Sequence, residues 1–254
     1  MQHLGALLVG VIIGFLGGLF GKGGSAIATP LLAIVGFPGF IAVASPLPAT
    51  IPGTLLASAQ YWKHKLIDWQ VVSWSIGVGI PATIIGSLIT KFTGARFLLI
   101  LTAIFVLGFG LSFLISPTET KSAASVPKLI EEEKANFSRT RLALIAAGVG
   151  FISGLLANAG GFLLAPAYIR LLKLPIKKSF ACSLAVSAAL AVPGTIVHAY
   201  LGHISWTVTG LVALGSIPCS VIGARVAIRS RSSRLARMYG LFLTALGILS
   251  FFHL

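Results

Sequence analysis

The chain has 254 residues, of which 56% are hydrophobic and 9% charged, with a mean hydropathy of +0.99 and a formal net charge of +14. Soluble domains carry roughly 25% charged residues, so the composition excludes an ordinary soluble enzyme or binding module and describes a polytopic membrane protein. The positive balance does not imply nucleic acid, because the 19 Lys and Arg sit almost entirely in short loops between apolar runs rather than on one basic face; the expected surroundings are membrane lipid.

Met1-Gln2-His3 offers no basic region before the first apolar run, so that run is expected to stay as part of the fold rather than act as a cleaved signal. Apolar segments cover residues 4–20, 25–36, 40–62, 69–90 and 97–115. A polar stretch follows at 116–141, and then five more apolar segments at 142–157, 162–172, 179–200, 205–228 and 235–252. This divides the chain into a first transmembrane repeat (1–115), a cytoplasmic linker (116–141) and a second repeat (142–254). The linker carries Glu131-Glu132-Glu133-Lys134 and reads as a solvated loop with a short surface helix.

Self-similarity supports the division. Gly14, Phe15, Gly18, Leu19, Gly24 and Pro30 recur 136 residues later as Gly150, Phe151, Gly154, Leu155, Gly160 and Pro166. Ala44, Leu47, Trp69, Pro81 and Gly86 recur 137 residues later as Ala181, Leu184, Trp206, Pro218 and Gly223.

The second segment of each half is about a dozen residues, too short against the ~20 that a spanning helix needs. Loop charge decides how it is used. With four crossings per half, the two sides would hold 7 and 11 cations. With the first two segments folded as a re-entrant hairpin, 16 of the 19 gather on one side, Lys91 and Arg96 lie on the other, and Lys22 sits at a hairpin tip. The second arrangement satisfies the positive-inside rule. The expected fold is therefore an all-α polytopic membrane protein of two inverted repeats, each a re-entrant or broken helical hairpin plus three transmembrane helices. Both termini are expected outside, and the two hairpin tips are expected to meet near the midplane from opposite sides.

The tips are Gly21-Lys22-Gly23-Gly24-Ser25 and Asn158-Ala159-Gly160-Gly161. Glycines release the backbone from helical geometry, and the short helices that restart at Ser25 and Phe162 point free amides into the break. Two such starts facing each other suit an oxyanion; Lys22 adds a charge and is expected to reach Asn158, Ser25 adds a hydroxyl and Asn158 an amide donor. Set against this are a lysine stem that snorkels to the surface and plain helix capping by Ser25 and Asn158.

The third segments hold Pro46, Pro48 and Pro52, and Pro193 in the second half. Three prolines within seven residues are not expected inside a regular helix. The hydroxyls of Ser45, Thr50, Thr54, Ser183, Ser187 and Thr195 could line a polar path there, or bond their own backbone. The five acids, Asp68, Glu119, Glu131, Glu132 and Glu133, all lie in loops. A core with amides and a cation but no carboxylate suits a small anionic substrate. Proton coupling would then fall to His198, with Tyr200 nearby, or to the substrate itself; His64 and His203 read as interfacial. Trp62, Trp69 and Trp206 fall at segment ends, as belt residues do. Cys182 and Cys219 read as small core residues.

No Walker A, GxSxG or HExxH motif is present, nor an acidic pair to hold a metal, so neither an enzyme nor a cofactor is expected.

The glycine-rich hairpins with their prolines, the Ala44-Ser45-Pro46-Leu47 and Ala181-Cys182-Ser183-Leu184 segments, and the pairs Asp68-Trp69 and Ser205-Trp206 resemble the TauE/SafE family of sulfite exporters. The resemblance covers nearly the whole chain outside the linker. It implies a transporter of sulfite, sulfonates or related anions in the bacterial inner membrane, with the family's glycine motifs falling on Gly21, Gly23 and Gly24 and on Gly160 and Gly161. Lys22 and the prolines at 46, 48 and 52 are not carried over from that resemblance. A non-transport membrane subunit that docks a partner through the linker is the alternative reading.

Overall fold

Long apolar runs without charge can satisfy their backbone in lipid only as helices, and helix is the only extended regular structure among the described residues. A computed structural model describes residues 2–21, 25–115 and 139–252. In order these form α1 (Gln2–Phe20), α2 (Ser25–Val35), α3 (Gly39–Ala44), α4 (Pro46–Lys63), α5 (Trp69–Ile89), a 3₁₀ turn (Thr90–Phe92), α6 (Ala95–Ile115), α7 (Arg139–Leu155), α8 (Gly161–Arg170), α9 (Ile176–Tyr200), α10 (Trp206–Arg229) and α11 (Ser232–Phe252). Among the described residues, five stretches are long and apolar enough to cross a membrane: α1, α3 joined to α4, α5 with its 3₁₀ turn, α9 and α10.

The first helix of each half packs on the fourth segment of the other. Along α1, Gly10, Gly14 and Gly18 face Val212, Ser216 and Ser220 of α10, and a β-carbon at these glycines would stand 2.4, 2.4 and 1.9 Å from the facing carbonyl oxygens. The numbers rise together, so the two helices run parallel. Gly150 and Gly154 of α7 meet Gly79 and Thr83 of α5 in the same way, at 2.6 and 2.0 Å. Gly86 and Gly223, matched in the repeat, lie on Phe151 and Phe15, also matched. Small residues let backbones approach where lipid supplies no hydrophobic drive between helices.

Both hairpins turn back on themselves. Val35 at the end of α2 lies against Gly5, and Gln2 Nε2 donates to the Gly36 carbonyl at 3.4 Å, so α2 finishes where α1 began. In the second half Tyr168 Oη donates to Ser75 Oγ at 2.7 Å, four residues before the level at which α5 meets Gly150, so α8 returns along α7. The arms are unequal. At 1.5 Å per residue, the 19 residues of α1 rise about 28 Å, and Gly18 stands opposite Ser220, past the middle of α10.

The cation-rich loops gather at one end. Lys177 Nζ donates to the Ile228 carbonyl (2.7 Å), Arg225 Nε to Gln60 Oε1 (3.4 Å), and the Asp68 amide to Cys182 Sγ (3.3 Å), which joins the α4–α5 loop, the start of α9 and the end of α10. At the other end Phe40 stacks on His203 and the Ser205 amide donates to Ser45 Oγ. Outward faces carry Leu8, Ile85, Leu88, Ile196 and Leu214, while Ser75, Ser87, Ser153, Ser183, Ser187 and His198 are fully buried. Trp62, Trp69 and Trp206 are exposed at helix ends.

The prolines do not share one regular helix interior, as expected: the helix breaks at Ser45. Pro46 opens α4 and Pro48 follows within its first turn, where a missing N–H costs little because those amides are unpaired in any helix. Pro52 and Pro193 sit inside helices that run on through them.

Gly18→Val would force a side chain into the Ser220 carbonyl and is expected to cost ~3 kcal/mol or more, read as loss of monodisperse protein in detergent. Gly148→Ala, with open space around it, is expected to melt at or slightly above the parent temperature, since Ala in a helix gains ~0.5–1 kcal/mol over Gly.

Candidate functional site

The second tip is built around Gly160. Its φ of +76° is one that glycine adopts freely, and it turns the chain from the end of α7 into α8. The carbonyl of Gly160 accepts from the amides of Leu163 and Leu164, which leaves the first amides of α8 pointing past the helix start. Asn158 Oδ1 accepts from the Gly160 amide at 2.9 Å, while Asn158 Nδ2 is buried without a hydrogen-bond partner.

The first tip meets it. Ser25, the first residue of α2, accepts at Oγ from the Ala159 amide (3.0 Å) and lies 3.5 Å from Asn158 Oδ1 as a donor. Gly21, with φ +68°, packs against Phe180. Ser183 of α9 completes the junction: its Oγ donates toward the carbonyls of both Gly21 and Gly161, the latter at 3.2 Å. One serine on a crossing helix thus holds both breaks. Lys22, Gly23 and Gly24 lie outside the described residues, as does all but the end of the linker; in the register of the repeat, Asn158 occupies the position of Lys22.

The other anticipated hydroxyls divide into two groups. Thr50 donates to the Leu47 carbonyl and Thr54 to those of Thr50 and Ile51, each at 2.9 Å, so both are spent on their own helix. Ser45 accepts from the Ser205 amide and its carbonyl accepts from Thr209, which ties α4 to α10 at the end away from the cations. Ser187, one turn beyond Ser183, and Thr195 are instead left with unpartnered hydroxyls. Ser153 was not anticipated. It is fully buried, its Oγ has no partner, and it stands 2.6 Å from where a Gly160 β-carbon would be. Its register partner is Gly17 in the first tip's arm, a signal present in the repeat.

A narrow cleft runs beside the first tip, lined by Gly14, Gly17 and Gly18 of α1, Thr50, Gly53 and Thr54 of α4, and Ser216 and Ser220 of α10. It has room for about one water molecule. Phe20 plugs the cation-rich end of that tip, with ring centroids 6.5 Å from Phe180, 5.3 Å from Tyr239 and 5.7 Å from Phe242.

Residues 6–250 match the family described as Sulfite exporter TauE/SafE. The chain belongs to this family. It is 28% identical over 248 residues to a probable membrane transporter protein of Xylella fastidiosa (strain 9a5c), covering 94% of this chain and 91% of that one. It is 27% identical over 237 residues to the probable membrane transporter protein YjnA of Bacillus subtilis (strain 168), covering 88% and 89%. A probable membrane transporter protein of Methanocaldococcus jannaschii, MJ0441, is 24% identical over 257 residues, covering 95% and 92%. No solved structure matches.

In this TauE/SafE transporter His198 is fully buried on α9, with Nε2 3.3 Å from the Gly154 carbonyl and Nδ1 3.2 Å from His203 Nδ1. His203, in the loop between α9 and α10, stacks on Phe40 with centroids 4.4 Å apart, and partial burial holds its imidazole below the ordinary value.

Ser183→Ala leaves two buried carbonyls without their shared donor and is expected to cost about 1–3 kcal/mol, seen as a lower melting temperature in detergent. Ser187→Ala removes a hydroxyl without a partner, so its melting temperature is expected to stay put.

Proposed function

We propose that this TauE/SafE transporter is a secondary transporter of a small oxyanion, sulfite or an organosulfonate, that works by alternating access around the two facing helix starts. The observation that carries the reading is the junction of Ser25, Asn158 and Ala159, with the Asn158 Nδ2 donor buried and unused beside the opening of α8. Leaving such a group unpaired costs free energy in the empty protein, and an arriving anion would repair it. The partial positive charge of two helix starts adds to the attraction. Every acid of the chain falls outside the apolar segments of the sequence, which leaves no carboxylate in them to repel an anion. Ser153 and Ser187 supply further donors, and Lys22 belongs to the same tip by sequence.

On this reading the cation-rich end faces the cytoplasm and both termini face outward. In a Cys219→Ser background, His3→Cys is expected to react with a membrane-impermeant maleimide in intact cells, and Lys63→Cys only after permeabilisation. The reverse pattern would invert the assignment.

Transport is tested in proteoliposomes against sulfite, thiosulfate, taurine, sulfoacetate and non-sulfur anions. Selective flux of sulfur oxyanions is expected. Asn158→Asp replaces the free donor by a negative acceptor and is expected to lower anion affinity about 10–100-fold, the equivalent of one charge-assisted hydrogen bond. An unchanged affinity would sink the tip site.

A further inference from the structure

The contacts of His198 and His203 fix where their protons are. A carbonyl can only accept, so the short contact to Gly154 places a hydrogen on His198 Nε2. Neutral His198 then has a bare Nδ1, and the 3.2 Å approach of the two Nδ1 atoms requires a single hydrogen between them. It must come from His203. That leaves Nε2 as the open nitrogen of His203, on a residue that is only partly buried, in the loop between α9 and α10 at the end away from the cations.

We propose that His198 and His203 form the proton site that couples transport: one proton enters at His203 Nε2 and is relayed through the shared Nδ1–H···Nδ1 bond to His198. The step balances. His203 gains a hydrogen at Nε2 and gives its Nδ1 hydrogen to His198, so His203 ends neutral in the other tautomer and His198 becomes an imidazolium with both nitrogens protonated. The proposal rests on the reading of the chain as an anion transporter.

Coupling follows from what surrounds the buried ring. From α7 it meets the Gly154 carbonyl, and the Arg139 and Arg141 of that helix lie at the opposite end. The neighbouring α5 contributes Ser87, whose Oγ also donates to Gly154, and Thr90, which donates to Leu155; Lys91 follows in the 3₁₀ turn. Phe40 of α3 stacks on His203, the Ser205 amide in the loop before α10 donates to Ser45, and the exposed Tyr200 follows on α9 itself. No carboxylate of a described residue is among them. A buried imidazolium without a counter-ion is costly, and the second tip is joined to the ring through Gly154. Gly154, which His198 touches, adjoins Ser153, whose carbonyl accepts from the Asn158 amide and whose hydroxyl abuts Gly160. An anion at the tip therefore stabilises the proton on His198, and by linkage the proton tightens the anion to the same degree.

Methanesulfonate tests this because it stays a monoanion across the pH range of histidine. Its binding to the purified full chain is followed calorimetrically in two buffers of different ionisation enthalpy, which yields the protons taken up per anion bound. About one proton per anion is expected for the parent chain between pH 6 and 7.5, with affinity rising up to tenfold per unit fall in pH. His203→Gln and His198→Gln, checked for monodispersity, are expected to take up none and to bind with a flat pH dependence. Should His198→Gln fail to fold, His203→Gln decides alone. Uptake near one in the His203 variant, or none in the parent chain, would overturn the dyad while leaving the anion site standing. A parent chain that binds neither methanesulfonate nor sulfite removes the transport reading and this proposal together.

Discussion

The structure depends on backbone meeting backbone between α1 and α10 and between α7 and α5. Within lipid, apolar side chains gain little by leaving one another's company for the bilayer, so helices adhere through close packing and polar contacts. Glycines four residues apart strip side chains from one stripe and let the facing carbonyls come within a distance that no β-carbon permits. Hydroxyls add to this: Thr83 and Ser87 of α5 reach the Gly150 and Gly154 carbonyls of α7, and Ser220 of α10 reaches Gly53 of α4. Because each seam joins one half to the other, neither half is a closed unit. The tips are delivered to a common point only because both seams form.

Around that point the two halves share a frame and differ in chemistry. Ser25 and Gly161 occupy equivalent positions, yet the serine reaches across to Ala159 while the glycine offers its carbonyl to Ser183. The first tip is sealed by the rings around Phe20, the second by Val43 and Ala44 against Ala157. The two tips thus differ in the aromatic surface buried beside them.

Much of the fold was legible because membrane proteins obey two strong rules, the length of a crossing and the placement of cations. The short second segments and the 16-to-2 charge division led to hairpins that return to their own face, and the contacts of Val35, Gln2 and Tyr168 agree. The prolines marked the break at Ser45, since Pro46 and Pro48 are costly in the middle of a helix and harmless in its first turn. The meeting of the two breaks was legible at Gly21, Gly160 and Gly161 and at Ser25, Asn158 and Ser183, which the structure brings together. Ser153 and the ring contacts of His203 were not legible. A buried serine on a helix looks like any other until the opposing chain is in place, and the role of His203 comes from a ring five residues back on the preceding helix together with Phe40. Thr50 and Thr54 face the cleft but spend their hydrogens on local carbonyls, a competition that composition does not resolve.

The pairing of α1 with α10 also constrains how the protein is made. Gly14 and Ser216 are separated by about 200 residues, which at ~5–20 residues per second takes a ribosome roughly 10–40 s to synthesise. For that time the first hairpin sits in the bilayer with its glycine stripe bare and its partner not yet in existence. The second seam closes the other way round: α5 emerges first and waits only for α7. Assembly thus proceeds from the inner pair outward, and the N-terminal hairpin, first to be made, is among the last pieces to find its place.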